Sequence, residues 1–129
     1  SASISARGLQ REERGNASGT VGIGELAISS DGHVYGYSGA EDSPVFQASA
    51  PAGLGAWHTL AIDIDFRGKN YTFLVDGNVL PGGPFRLVSA ANTNTLARAS
   101  LVVYAAAETA TLGKSNYVVH FDDFSIRTR

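Results

Sequence analysis

An all-β domain, built as an antiparallel sandwich or barrel, is the fold that the sequence predicts, and three observations predict it. Short runs of alternating apolar and polar residues recur along the chain. Turn signals rich in Gly, Pro, Asn and Ser separate them, with 15 Gly and 4 Pro in 129 residues. Few windows offer the roughly ten Gly-free residues that a helical apolar period requires. The length suits one domain, and 43% apolar against 17% charged residues suits a compact core under a quiet polar surface.

The elements follow in order. Residues 2–7 read as a strand. Residues 9–14 are the best short helix candidate, though too brief and too charged to stand alone. Residues 20–29 form a strand whose apolar phase switches from Val21 and Ile23 to Leu26 and Ile28, so a bulge is expected near Gly24. Asp31-Gly32 turns this strand into residues 33–38, where Tyr35 and Tyr37 share a phase. Residues 45–48 are a short strand, and residues 50–55 are a loop. Alternation is clearest over residues 57–66: His58, Leu60, Ile62, Ile64 and Phe66 take one phase, and Trp57, Thr59, Ala61, Asp63 and Asp65 the other. Arg67-Gly68-Lys69 is a polar turn into residues 70–76, with Tyr71, Phe73 and Val75 in phase. Asp76-Gly77 has the chemistry of a two-residue type I′ turn, whose central residues both need positive φ. Val79-Leu80 begins the return strand. Residues 85–89, 100–106 and 117–126 complete about nine or ten strands, while the alanine run in residues 105–112 lacks an apolar stripe.

Composition removes several function classes. Ten Lys and Arg against 12 Asp and Glu leave a net charge of −2, so nothing favours nucleic acid or an anionic membrane surface. The absence of cysteine excludes disulfides, zinc–thiolate sites, iron–sulfur clusters and thiol catalysis together. No apolar run approaches the roughly 18 residues of a membrane span, and no signal peptide is expected to remain in this piece. The chain has no methionine, so it is expected to be a piece of a longer polypeptide with Ser1 at a cut or processing point.

Two spaced motifs carry a family resemblance. The run Trp57-His58-Thr59-Leu60-Ala61-Ile62-Asp63-Ile64-Asp65-Phe66, followed by Tyr71-Thr72-Phe73-Leu74-Val75-Asp76-Gly77, resembles the central hairpin of laminin-G-like domains of the concanavalin A-like lectin/glucanase superfamily. Val119-His120-Phe121-Asp122-Asp123-Phe124-Ser125-Ile126 resembles the strand that closes such domains, and Gly32-His33-Val34-Tyr35 the aromatic strand upstream. The resemblance covers roughly residues 20–127. It implies a concanavalin A-like jelly roll in a secreted or extracellular protein. Family members commonly run longer, so this copy is either compact or has its first strands before Ser1.

Candidate sites divide by chemistry. Glycoside hydrolysis needs two carboxyl groups about 5–10 Å apart. Asp63 and Asp65 alternate as the superfamily's hydrolases require, but Ala61 and Arg67 stand where a flanking glutamate would be. These aspartates therefore read as solvated, and no catalytic residue is assigned. Glu25 and Glu108 on facing strands are the remaining enzyme option. Calcium, common among the relatives, needs six to eight oxygens from several loops. Glu41-Asp42 is a plausible loop pair, whereas Asp122 and Asp123 are expected on opposite faces of one strand. No metal residue is assigned; calcium stays the one possible cofactor. His33, His58 and His120 fall on three different strands, a weak basis for zinc.

Sugar binding uses an aromatic ring against the apolar face of a pyranose, with hydrogen bonds to its hydroxyls. Tyr35 and Tyr37 are the candidate platform, and Asp65, Asn70, Asn92 and Asn94 the candidate polar contacts. Tyrosine is also simply a good strand former. Trp57, the sole tryptophan, reads as a packing residue opening a core strand. The mixed charges of Arg7, Arg11, Glu12, Glu13 and Arg14 cancel into a solvated face. Asn16-Ala17-Ser18 and Asn70-Tyr71-Thr72 are formal glycosylation sequons. The expectation is a non-catalytic module of a secreted or cell-surface protein that binds a glycan or an extracellular protein, with no membrane insertion and a possible neighbouring domain in the parent chain. The alternatives are a glycoside hydrolase or polysaccharide lyase of the same fold, or a purely structural accessory domain.

Overall fold

A computed structural model of the chain describes residues 2–11, 17–38, 45–87, 93–103 and 120–127. Nine strands and no helix occur among them: β1 (Ala2–Arg11), β2 (Ala17–Ile28), β3 (His33–Ser38), β4 (Val45–Pro51), β5 (Leu60–Asp65), β6 (Asn70–Val75), β7 (Asn78–Val79), β8 (Phe85–Arg86) and β9 (Thr93–Val103). They form two antiparallel sheets. One has the order β4-β3-β2-β1-β9; the other runs β5-β6-β7, with β8 pairing on β6.

The turns follow from the residues that the sequence places there. In the hairpin from β2 to β3, Gly32 takes φ 81° and its N–H donates to the Ser29 carbonyl at 3.0 Å. Ser29 N–H in turn donates to the His33 carbonyl at 2.9 Å, closing a three-residue loop. Between β6 and β7, Asp76 and Gly77 take φ 51° and 78°, and Val75 faces Asn78 across the two-residue turn. Both positive φ values fit the type I′ turn that Asp-Gly predicts. The turn from β5 to β6 spans residues 66–69 and closes with Lys69 at φ 58°.

The phase switch in β2 has the expected cause. Ala6 pairs with Gly24 and Arg7 with Gly22, so Ile23 is an extra residue, a bulge. The extra residue lets Ile23 and Leu26 both reach the interior, each buried.

The sheets pack face to face in a sandwich-like arrangement around one core of Ile23, Leu26, Val34, Ala48, Tyr71, Phe73, Val75, Leu80 and Leu87. Strand β6 supplies its centre, with Tyr71, Phe73 and Val75 buried in alternation. Phe73 meets the ring of Tyr71 edge-on at 5.3 Å and that of Phe85 at 5.6 Å. Room for these rings comes from glycine on the opposite sheet. A Cβ at Gly36 would stand 2.6 Å from the Phe73 ring, and one at Gly24 would stand 3.1 Å from it. Leu60, Ile62, Ile64 and Phe66, the apolar phase of the clearest alternating run, pack against this core from β5 and the turn after it.

Several expectations change. Residues 9–11, part of the short helix candidate, are strand in β1, where hydrogen bonding to two neighbours outweighs a weak local helical signal. The strand expected from Trp57 begins at Leu60. Trp57 is 69% exposed and does not open a core strand, because residues 57–59 leave the sheet as irregular chain. Residues 120–126 are not strand but exposed irregular chain: Asp123 takes φ 50°, which breaks extension, and its N–H is taken by Asp122 Oδ1 at 3.0 Å. The strand over residues 100–106 instead begins at Thr93 in β9, and that over 85–89 shows pairing only at Phe85 and Arg86. Residues 12–14, 88–89, 104–119, the pair Glu41-Asp42, and Asn16 lie outside the described residues.

Candidate functional site

Alternation along β3 separates the two faces of the five-stranded sheet. Val34, Gly36 and Ser38 are buried toward the core, so His33, Tyr35 and Tyr37 stand half-buried on the outer face. Their rings form a row: His33 lies 6.1 Å from Tyr35, and Tyr35 lies 6.5 Å from Tyr37 with ring planes 30° apart. The 6.5 Å step is that of alternate residues on an extended strand.

Phe46 on β4 completes this strip. Its ring centre is 6.4 Å from that of Tyr35 and 6.3 Å from that of Tyr37, and it is 56% exposed. A register shift puts it there. Gly36 pairs with Ala48 and Tyr37 with Phe46, leaving Gln47 as the extra residue. With regular pairing Gln47 would oppose Tyr37, and Phe46 would fall on the other face. Gln47 instead turns its Nε2 to the buried Ser38 hydroxyl at 2.8 Å.

The strip is anchored at one end. Tyr35 donates its hydroxyl to Asp31 Oδ2, while Asp31 Oδ1 accepts the His33 backbone N–H at 2.9 Å. Both bonds hold the Asp31 carboxyl below its ordinary range, the Tyr35 bond first, and the same bond raises the Tyr35 hydroxyl. Tyr35 is thereby fixed as a ring with its polar end already satisfied. At the other end Glu25 on β2 is the cross-strand partner of Tyr37 and shares its face.

The structure does not gather the six sequence-predicted sugar contacts into one site. Tyr35 and Tyr37 are together. Asp65 and Asn70 face each other across the other sheet, at the ends of β5 and β6. There they build a turn: Asp65 Oδ1 accepts the Gly68 N–H at 2.8 Å, and Asn70 Nδ2 donates to the Gly68 carbonyl at 3.3 Å. Asn94 is on β9, away from β3 in the sheet order, and Asn92 lies outside the described residues. No group of three or more His, Asp or Glu residues is placed to hold a metal ion among the described residues.

A second polar cluster joins the loop after β4 to the turn after β6. The His58 ring bridges two acceptors, Asp76 Oδ2 at 2.8 Å from Nδ1 and the Gly53 carbonyl at 3.0 Å from Nε2. Asp76 Oδ1 also accepts the Thr59 N–H at 2.8 Å. Hydrogen bonding to Asp76 raises the His58 ring above its ordinary value, helped by Gly53 and opposed by burial. With both ring nitrogens engaged, His58 has no nitrogen free to act as a base, so the pair is a clasp between two loops.

Compared with models of known families, with curated proteins and with solved structures, the chain matches none.

Alternation in the sequence puts Tyr35 and Tyr37 on one face, but it does not bring out Phe46, Asp31 or the His58–Asp76 clasp. Phe46 was hidden because its face depends on a bulge that leaves no glycine or other mark in the chain. In the sequence Asp31 shows only turn chemistry, although its spacing of four from Tyr35 across a hairpin brings the two together. The His58–Asp76 clasp had a readable signal: extending the Leu60–Val75 pairing by one residue puts Thr59 opposite Asp76, with His58 beside it.

Proposed function

We propose that this domain is a non-catalytic carbohydrate-binding module of a secreted or cell-surface protein, holding a glycan on the outer face of the five-stranded sheet. The reading is carried by the strip of Tyr35, Tyr37 and Phe46, three rings each within 6.5 Å of the others on the outer face of the five-stranded sheet. Successive pyranose rings stack their apolar faces on such a strip, where aromatic surface offers contact at little conformational cost. The Asp31 bond pre-orders Tyr35, so less motion is lost when a ligand arrives. The resemblance to laminin-G-like domains, and with it a concanavalin A-like jelly roll, is in keeping with this reading. Calcium is not required by it.

The test is a glycan array with polysaccharide pull-down, comparing the wild type with Tyr37→Ala and Phe46→Ala. Both side chains are partly exposed, so both variants should fold, and each should lose most of the binding. Failure of the wild type to bind any glycan, or unchanged binding by both variants, defeats the proposal.

A second reading, contact with a protein or a neighbouring domain, draws on a different place. Leu54 and Trp57 are exposed on the loop before β5, and the Trp57 ring lies 6.4 Å from His120, in an exposed segment that also carries Phe121, Phe124 and Ile126. Removal of Trp57 should leave glycan binding intact.

A further inference from the structure

We infer that Glu25 sets the specificity of the aromatic strip, selecting uncharged sugars and rejecting acidic ones; this rests on the glycan-binding reading above. Register places Phe46, Tyr37 and Glu25 in one row across three neighbouring strands, β4, β3 and β2. Adjacent strands lie about 4.8 Å apart. A pyranose stacked on Tyr37 therefore brings the hydroxyls on its rim over the Glu25 carboxylate. An ionised carboxylate only accepts hydrogen bonds, and it can take two from a vicinal pair of sugar hydroxyls.

Glu25 is available for this role. It is half-buried, and no hydrogen bond or ion pair engages its carboxylate among the described residues. Beyond it the row continues to Ser5 on β1 and Ser100 on β9, register positions without charge. The nearest basic register positions, Arg7 opposite Arg98, lie two residues further along β1 and past the Ile23 bulge. At the far end of the strip the charged side chain is again an acid, Asp31, with His33 Nδ1 3.7 Å from its Oδ1. A uronic acid or sulfated sugar over Tyr37 would set like charges side by side in a site whose apolar neighbours weaken screening. A neutral sugar meets no such cost and gains the carboxylate's hydrogen bonds.

A glycan array carrying neutral, uronic-acid and sulfated oligosaccharides tests this on the wild type, Glu25→Gln, Glu25→Ala and Tyr37→Ala, with thermal melting to confirm folding. The wild type should bind neutral oligosaccharides and discriminate against the acidic ones by at least about tenfold. Glu25→Gln keeps an acceptor and removes the charge, so binding of acidic sugars should rise toward that of neutral ones. Glu25→Ala should lose about tenfold on neutral sugars. Wild-type binding of acidic sugars as tight as neutral, or a ratio unchanged in both Glu25 variants, overturns the role of Glu25. If Tyr37→Ala still abolishes binding in that case, the glycan-binding reading stands without it. Absence of any wild-type binding overturns both.

Discussion

At Gly36 the two sheets approach closely, and single side-chain changes there have calculable consequences. The Phe73 ring occupies the space a Cβ would need, 2.6 Å from both Cδ2 and Cε2, and Phe73 is fully buried. Gly36→Ala should destabilise the domain by about 1–3 kcal/mol through overpacking, read as a lower urea midpoint. Tyr71, next to Phe73, predicts a change of the opposite sign. Its hydroxyl is buried and has no hydrogen-bond partner of normal geometry among the described residues, and the Ser38 hydroxyl beside it accepts from Gln47. Burial pushes this hydroxyl's pKa up. A buried, unsatisfied hydroxyl carries a desolvation cost, so Tyr71→Phe should leave stability unchanged or raise it by up to about 1 kcal/mol in the same assay. A loss of stability in Tyr71→Phe would mean the hydroxyl has a partner that matters. Gly36 shows where sequence runs out at this scale: the chain marks a glycine in a strand, but only the facing ring explains it.

The loops that join elements carry the pH dependence. His58 clasps the loop after β4 to the turn after β6, using one nitrogen for the Asp76 carboxylate and the other for the Gly53 carbonyl. Both partners are acceptors, so only the doubly protonated ring satisfies both. The folded-state pKa of His58 is raised above its ordinary 6.5, chiefly by Asp76. Its contribution to stability is therefore fully present below pH 6.5 and is lost as pH rises through the raised folded value. Asp76 behaves in the opposite sense. Its pKa is lowered from 3.8, chiefly by His58, so its contribution is present above that value and fades as pH falls through the depressed one. The clasp is strongest between these limits. Denaturation midpoints across pH should fall on the alkaline side in the wild type and lose that slope in His58→Gln, and an NMR titration should put the His58 midpoint above 6.5. The turn that holds Asp76 makes a related prediction. Gly77 takes φ 78°, with nothing near its missing Cβ, so Gly77→Ala should cost about 1 kcal/mol from backbone strain alone.

Across the whole molecule, legibility followed the range of the interaction. Alternation and turn chemistry are local, and they located the hairpins of β2–β3 and β5–β6–β7, the core phase of β6 and the bulge in β2. Pairing between distant segments is not local. Nothing in residues 9–11 announces that two flanking strands will extend β1, and nothing in residues 93–99 announces that β1 recruits β9 well before residue 100. Trp57 and residues 120–126 misled for the same reason: an alternating pattern needs a neighbouring strand to become sheet, and theirs is absent among the described residues. Asp65 and Asn70 have the polar chemistry that sugar contacts use, and in the structure each side chain hydrogen-bonds within its own turn. The division of labour between the two faces of the five-stranded sheet yields the last prediction. Leu26 and Tyr37 lie on neighbouring strands of that sheet, but Leu26 is fully buried in the core shared with β6 and Tyr37 stands on the outer face. Leu26→Ala should cost about 2–5 kcal/mol and lower the melting of both sheets together, since one core unites them. Tyr37→Ala should shift stability by well under that amount while removing one ring of the aromatic strip. Melting curves followed by tryptophan fluorescence and by far-ultraviolet circular dichroism check the pair. Coincident transitions are expected in both variants, with a marked drop in midpoint only for Leu26→Ala; a comparable drop for Tyr37→Ala would show that the aromatic strip belongs to the fold and not to an open binding face.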